Sequence, residues 1–548
     1  MTSLRRILSR FDADTGGGTV VIFAMALVPL IAVMGAAIDY TAAARLHDRL
    51  QVATDATALA LCKANASLTA TDLQVLARDM LAAELGSTRA ELDVPVIAGP
   101  PRTVALTTRS TYRTAFSGMI GVNTITLTTS AQCSAAQHWF EIALVLDTTG
   151  SMGSSDGGVT KIQSLRQAAT TFVNYVYDSP ALSGFSKIAL VPFAAAVAVD
   201  PVTAASAPWT DGTGASSLHW ANVADAAASG FSSRLSLFSR LSQTAPGWAW
   251  AGCFEAETYP RSVQDGKPDT AVADTLLVPM FAPDEAGNGG TTSHRETSSG
   301  RTQRTGNSYL DDATATAGCT TTPADDATRM RRACKYVAPA GANTGGWAGP
   351  NTMCRSRPLT RLTSSRTALS MEIAALQADG NTNIHQGVIW GWRTLSPLSV
   401  FADGVPYTQR NTTKVLVVMT DGMNVWPSAS NTVLQSTYSA YGYYTNADGS
   451  KPDARLPPAN AGPTSDSQAR AAMDALTREA CRNAATAGVL IYSVGFSTAS
   501  DPIDSQGLQL LRDCAGVTER MFIATDSNAL VTAFQRIAQG IGQLRLAR

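Results

Sequence analysis

The chain of 548 residues exceeds what one hydrophobic core usually holds, which implies two or more domains. Its 42 Lys and Arg against 43 Asp and Glu leave a net charge of -1, so no basic footprint for nucleic acid exists. Charged residues make up only 16% of the chain, below the usual quarter; small and hydroxylic residues replace them, which suits an exported protein better than a cytosolic enzyme.

Arg5, Arg6 and Arg10 lie in a short segment, 1–17, that precedes an uncharged apolar run over 18–38. About twenty apolar residues suffice to cross a bilayer, and the basic flank tends to stay in the cytoplasm. The reading is a single-pass anchor in the inner membrane, with the C-terminal bulk periplasmic. A cleaved signal peptide is the rival, with Gly35-Ala-Ala37 as its small-residue cleavage site. Pro29 lies inside the run, and membrane helices tolerate proline. From 39 to about 66, Leu46, Leu50, Ala53, Ala56 and Ala60 recur at helical spacing, which predicts a rigid continuation of the same helix. A second helix is expected over Asp72 to Leu85, then strands over 103–108 and 125–129. Residues 39–137 therefore outline a pilin-like stalk with a small strand-rich domain; a plain membrane tether with a spacer is the alternative.

Residues 138–548 predict one α/β domain built on a doubly wound, mostly parallel sheet. The buried run from Phe140 ends at Asp147, followed by Thr149 and Ser151. Ligands in open α/β sheets gather beyond the carboxyl ends of such strands. A helix over Lys161 to Tyr177 and a strand over Lys187 to Phe193 follow. The pattern then breaks from about 200 to 365, too long for a loop, so a folded insertion is expected. It contains Trp209, Trp220, Trp248 and Trp250, read as core, and a Gly/Thr/Ser-rich run from Gly287 to Gly306, expected to be mobile. Gly380-Asn-Thr382 offers another hydroxyl between two helices, and Val415 to Asp421 is a second apolar run ending in a carboxylate. A second insertion, about 424–465, carries Tyr438, Tyr441, Tyr443 and Tyr444 and is expected to lie over the binding face as a partner surface. Helices and strands alternate again from Ser467 to Leu544.

Asp147, Thr149 and Ser151 on one turn aim three oxygen-bearing side chains at one point, and all-oxygen surroundings suit a hard divalent cation. An Asp followed by Thr and Ser is also a common turn or helix cap. The order D-x-T-x-S, then G-N-T, then T-D-G resembles the metal-ion-dependent adhesion site (MIDAS) of von Willebrand factor A domains. That resemblance implies Asp147, Thr149, Ser151, Thr382 and Asp421 as metal ligands, directly or through water, with magnesium first and manganese or calcium next. Thr149 stands where the family usually has Ser; the hydroxyl is kept.

Eight cysteines without C-x-x-C, and only five His, argue against zinc and for disulfides outside the cytoplasm. The expected pairs are Cys62 with Cys133 and Cys481 with Cys514, while Cys253, Cys319, Cys334 and Cys354 pair among themselves. No H-E-x-x-H or Walker loop appears, and His385, near the expected metal face, is read as a surface residue, so no catalytic role is assigned.

Trp250-Ala-Gly-Cys253, Leu277 to Asp284, Gly349 to Cys354, Gly380 to Ile384, Trp390 to Pro397, Met419 to Gly422 and Ser439 to Gly442 together resemble the TadG-like pilus-assembly proteins of tight-adherence, Flp-type systems. The N-terminal segment through Tyr40 is similar to that family's TadE/TadG-like pilin region. The resemblance implies an envelope-anchored accessory of a type IV-like pilus, working with minor pilins and the secretion platform or holding a surface ligand through an acidic residue. Prepilin cleavage in related minor pilins relies on a Glu just past the cut, and residues 19–38 contain none. A metal-free scaffold is the alternative function, and a metal-dependent hydrolase a more distant one.

Overall fold

The computed structural model describes residues 18–64, 68–86, 88–98, 103–134, 138–179, 182–286, 293–295, 302–304, 307–311, 319, 325–345, 348–429, 432–451 and 453–544. They form two compact units, 1–137 and 138–548.

The first unit begins with α1 (Gly18–Lys63), one helix that runs through Pro29 without interruption. It is long and apolar enough to cross a membrane. Its first half leaves Ile22, Met25, Val28 and Met34 exposed, whereas Ala43, Leu50, Ala53, Ala58 and Leu61 in its second half are buried. That buried stripe recurs at helical spacing and packs on α2 (Ala70–Leu85) and on a four-stranded antiparallel sheet. Thr69 and Asp72 start α2 with reciprocal capping bonds. In the sheet, β1 (Glu91–Leu92) and β2 (Val96–Ala98) pair with β3 (Thr103–Arg113), which pairs along its whole length with β4 (Thr124–Ser134). Both long strands outrun the expected 103–108 and 125–129, because inward-facing Thr108 and Ser110 continue the burial alternation with hydroxyls rather than hydrocarbon. Thr54 of α1, Thr108 and Thr129 close a buried triangle of hydroxyls, 2.7 to 3.0 Å apart. Cys62 and Cys133 form a disulfide that ties the end of α1 to β4.

The second unit is organised by a six-stranded sheet. Its strands are β5 (Trp139–Asp147), β6 (Ser186–Phe193), β7 (Thr360–Thr363), β8 (Thr412–Thr420), β9 (Leu490–Phe496) and β10 (Met521–Ala524), in the spatial order β7-β6-β5-β8-β9-β10. All neighbours are parallel except β7, which runs antiparallel to β6. Residues 360–363 were assigned to the insertion by sequence; as an edge strand, half-buried and polar, β7 lacks the apolar run that marks a strand covered on both faces. Along β5, Ile142 and Leu144 pack against α3 (Lys161–Asp178), α4 (Arg366–Ala374) and α8 (Ser527–Leu544). Ala143 and Val145 face the other way, toward α5 (Ile384–Leu395), α6 (Asp466–Thr486) and α7 (Ser505–Ala515). Alternate residues of one strand thus serve two cores.

The inserted residues join the core on the α5 side. Trp248, Trp250, Phe254, Phe281, Tyr309 and Tyr336 are buried there, with Trp209 and Trp220 packed at the margin. Disulfides Cys253–Cys354 and Cys319–Cys334 hold this region, and Cys481–Cys514 links α6 to α7. The tyrosines of the second insertion correct the expectation of a partner surface. Tyr438, Tyr441, Tyr443 and Tyr444 are all buried, and Tyr444 donates to the Trp426 carbonyl at 2.6 Å. Most of the run from Gly287 to Gly306, expected to be mobile, lies outside the described residues; within it Ser293–Arg295 pairs antiparallel with Thr302–Arg304.

Candidate functional site

Asp147 ends β5, and its carboxylate is fully buried. The backbone N–H and the hydroxyl of Thr149 both donate to its Oδ1, at 2.9 and 2.6 Å. The Thr420 hydroxyl, at the end of neighbouring β8, donates to its Oδ2 at 2.6 Å. Ser151 donates to Oδ1 of Asp421 at 2.7 Å and lies 3.0 Å, oxygen to oxygen, from Thr149. The turns after two adjacent parallel strands therefore meet, as the β5–β8 register requires.

The loop before α5 joins them through its backbone. Gly150 donates to the Gly380 carbonyl at 2.8 Å, and Asp379 to the Thr148 carbonyl at 2.8 Å. Gly380 has φ +88°, a left-handed conformation that glycine adopts without strain. The carbonyl of Thr382 accepts from Val425 at 2.8 Å, which ties this loop to the one after Asp421. The structure thus links the first-loop residues and Asp421 through side chains, and brings in Thr382, itself buried, through main-chain bonds.

Electrostatics at the site are unbalanced. Burial and then the Asp421 charge push the Asp147 carboxyl up to about 7, against hydrogen bonds from Thr149 and Thr420. Burial also raises Asp421, although Lys161 opposes it. Once both carboxylates are ionised, Thr149 and Ser151 spend their protons on them. Their contact at 3.0 Å is then lone pair against lone pair. Two buried carboxylates and paired hydroxyl acceptors are a donor set that fits a hard divalent cation. Among the described residues no group of three or more His, Cys, Asp or Glu is arranged for a metal; this cluster relies on hydroxyls instead.

Lys161 is the residue that sequence reasoning missed. It opens α3, is 1% exposed, and its ammonium donates to Asp421 Oδ2 at 2.9 Å and Asp501 Oδ2 at 2.7 Å. Burial alone would lower its pKa; the charges and hydrogen bonds of the two carboxylates outweigh that and hold it above the ordinary lysine value. A signal was present: a lysine in the first turn of a helix that has no acidic residue there opposes the helix dipole and calls for an outside carboxylate.

His385 corrects a second expectation, for it is fully buried rather than on the surface. Its Nε2 lies 2.8 Å from the Ser262 carbonyl, which only an N–H can satisfy, so Nδ1 is the acceptor for the Tyr441 hydroxyl at 2.9 Å. Burial keeps the ring neutral and lowers its pKa to about 4. Gly153-Ser-Ser155-Asp-Gly157 has the G-x-S-x-G spacing, which the sequence reading passed over. Ser155 is exposed in a short hairpin, Ser155–Asp156 paired with Val159–Thr160, and not on the strand-to-helix elbow of that motif.

No curated protein matches the chain. Residues 16–61 match a family model described as "Tad: Putative Flp pilus-assembly TadE/G-like". The first unit therefore opens on a TadE/G-like segment. Among solved structures, the chain is similar to the PilB minor pilin from Streptococcus sanguinis at 12% identity, covering 83% of this chain and 79% of that one with a TM-score of 0.33. It is similar to the vWF domain of the type V pili tip protein Mfa5 from Porphyromonas gingivalis at 10% identity, covering 74% and 96%, with a TM-score of 0.31. It is similar to the pilus adhesin RrgA from Streptococcus pneumoniae at 9% identity, covering 82% of this chain and 49% of that one, with a TM-score of 0.33. The chain thus spans about half the length of that adhesin.

Proposed function

We propose that this chain is a membrane-anchored component of Flp-type pilus assembly. In this reading α1 crosses the inner membrane, residues 39–137 form a pilin-like stalk, and residues 138–548 are a von Willebrand factor A domain that captures an acidic side chain of a partner. The observation that carries the binding role is the convergence of Asp147, Thr149, Ser151 and Asp421 beyond the carboxyl ends of β5 and β8. The TadE/G-like segment supports the pilus setting.

Thr149 and Ser151 would hold a divalent cation, magnesium foremost, with Asp421 and Thr382 beside them. A bound cation supplies an open coordination place for a carboxylate from outside. Asp147 fixes the Thr149 hydroxyl, and Thr420 fixes Asp147 in turn. Because the groups that would touch the cation directly are mainly the neutral hydroxyls of Thr149 and Ser151, it would be only partly neutralised by its ligands and would attract a partner's acid. A minor pilin, the secretion platform or a surface ligand is the expected source of that acid. Two features support binding over turnover in this reading: His385 is buried and neutral, and Ser155 lacks an elbow.

The test is capture of pilus components by the full chain, by Asp147→Ala, and in the presence of a chelator. Capture should fall in both altered conditions; undiminished capture in both overturns the reading. One observation favours a second reading, a metal-free scaffold: Lys161 already brings a cation to Asp421. Titration of magnesium and manganese that gave no binding, with pilus assembly intact in Asp147→Ala, would favour it.

A further inference from the structure

The turn between β3 and β4 exposes apolar side chains that the packing of its own unit does not explain. Phe116, Met119, Ile120 and Val122 are 41%, 76%, 60% and 45% exposed. A lone exposed apolar residue needs no account, but four in one short turn mark a contact surface.

The position of this turn against α1 is fixed. Asp39, fully buried, accepts hydrogen bonds from the backbone N–H groups of Ala115, Phe116 and Ser117 at 2.8, 2.9 and 2.6 Å. Gly35 lies against Phe116 so closely that a Cβ there would come within 2.5 Å of the Phe116 Cβ. The turn is therefore clamped to the end of the uncharged stretch 18–38. At about 1.5 Å per residue that stretch spans about 31 Å, the thickness of a hydrocarbon core. Gly35 lies three residues before its end, which puts the attached Phe116 about 4.5 Å inside that level. Asp39 falls just beyond, where a carboxylate in poorly hydrated surroundings is tolerated because three amides satisfy it.

We propose that residues 116–122 form a membrane foot: Phe116, Met119, Ile120 and Val122 enter the leaflet on the side of the folded units and set the depth at which the stalk stands. The occupant of this surface is lipid. The apolar turn continues the exposed apolar surface of α1, from Val20 to Ile38, at the same level. The inference rests on the reading that α1 spans the membrane.

The full chain carrying Met119→Cys is labelled with an environment-sensitive fluorophore and reconstituted in phosphatidylcholine/phosphatidylglycerol vesicles. The described cysteines are all in disulfides, so the label goes to the introduced thiol. Val28→Cys reports the spanning helix and Arg78→Cys, exposed on α2, reports water. The expected result is strong quenching of the Met119 and Val28 labels by nitroxide lipid, with the Arg78 label quenched only by aqueous iodide. Adding Ile120→Asp should shift the Met119 label toward iodide. A Met119 label quenched by iodide alone, beside a lipid-quenched Val28 label, overturns the foot but leaves the anchor. A Met119 label shielded from both quenchers assigns the turn to a protein neighbour and also overturns it. An iodide-quenched Val28 label removes the anchor, and the foot with it.

Discussion

Lys161 decides how the candidate site behaves without metal, because its ammonium already faces the carboxylate that a cation would need. Lys161→Met leaves Asp421 buried without its partner, and removing one member of a buried pair costs about 3 kcal/mol. The urea midpoint should fall accordingly in chelator. Magnesium should then raise the midpoint more in Lys161→Met than in the parent chain; equal shifts would show that ammonium and metal do not compete. In the parent chain, magnesium at a hundred times its dissociation constant should stabilise by about 2.7 kcal/mol, and Asp147→Ala should abolish that gain. His385 gives a pH signature of its own. Its pKa is about 4 in the fold against an ordinary 6.5, so the unfolded chain gains a proton first as pH falls. Its contribution is complete above 6.5 and is lost progressively between 6.5 and about 4. Between pH 7 and 5 the loss is about 2 kcal/mol, and His385→Asn should flatten that slope in equilibrium unfolding. In the sequence, Asp147, Thr149 and Ser151 were legible because a turn forces neighbours together. Lys161 was legible only as a lysine in want of an outside carboxylate; which carboxylates answer it was not, because Asp421 and Asp501 are brought to it by the fold from far along the chain.

At the scale of elements, α5 shows how a helix comes close to a sheet. A Cβ on Gly391 would lie 2.4 Å from Val145 Cγ2 and 2.7 Å from Leu416 Cδ1, and one on Gly387 would lie 2.7 Å from Phe193. Glycines four residues apart thus form a flat strip on which β5, β6 and β8 rest. Gly391→Ala should cost about 1 to 3 kcal/mol through overpacking despite its better helix propensity, read as a lower urea midpoint. A stabilised variant would refute the close approach. Gly252, inside the Trp250 to Cys253 motif, has φ +95° and a Cβ position 2.0 Å from the Val199 carbonyl, which explains why that motif contains a glycine. Strands β5 and β8 could be read directly, since burial on both faces demands continuous hydrocarbon. The edge strand β7 and the long ends of β3 and β4 could not, because threonine and serine serve both strand and turn. The tyrosines after Asp421 misled for a related reason: each has an apolar ring and a polar tip, and the Glu255 and Glu285 carboxylates that meet the tips of Tyr438 and Tyr443 lie far away in sequence, in the first insertion.

At the scale of the whole molecule, two ends of the first unit are locked by different means. Asp39 holds the turn at one end of the long strands, and the Cys62–Cys133 disulfide closes the other across 71 residues. Loop closure of that length constrains the unfolded chain by about 4 kcal/mol, so Cys62→Ser with Cys133→Ser should lower the thermal midpoint of the first unit and leave magnesium binding by the second unchanged. Coupled loss of both would contradict the division into two units. Between the two locks, α1 lies along β3 and β4, with the Thr54, Thr108 and Thr129 hydroxyls midway. In the proposed anchored state this layout is a load path. A tug along α1 must shear the interface at many points together, instead of peeling it open from one end. Such joints fail at high force, so if α1 is anchored as proposed, a pull along it would be borne by the membrane before the stalk came apart.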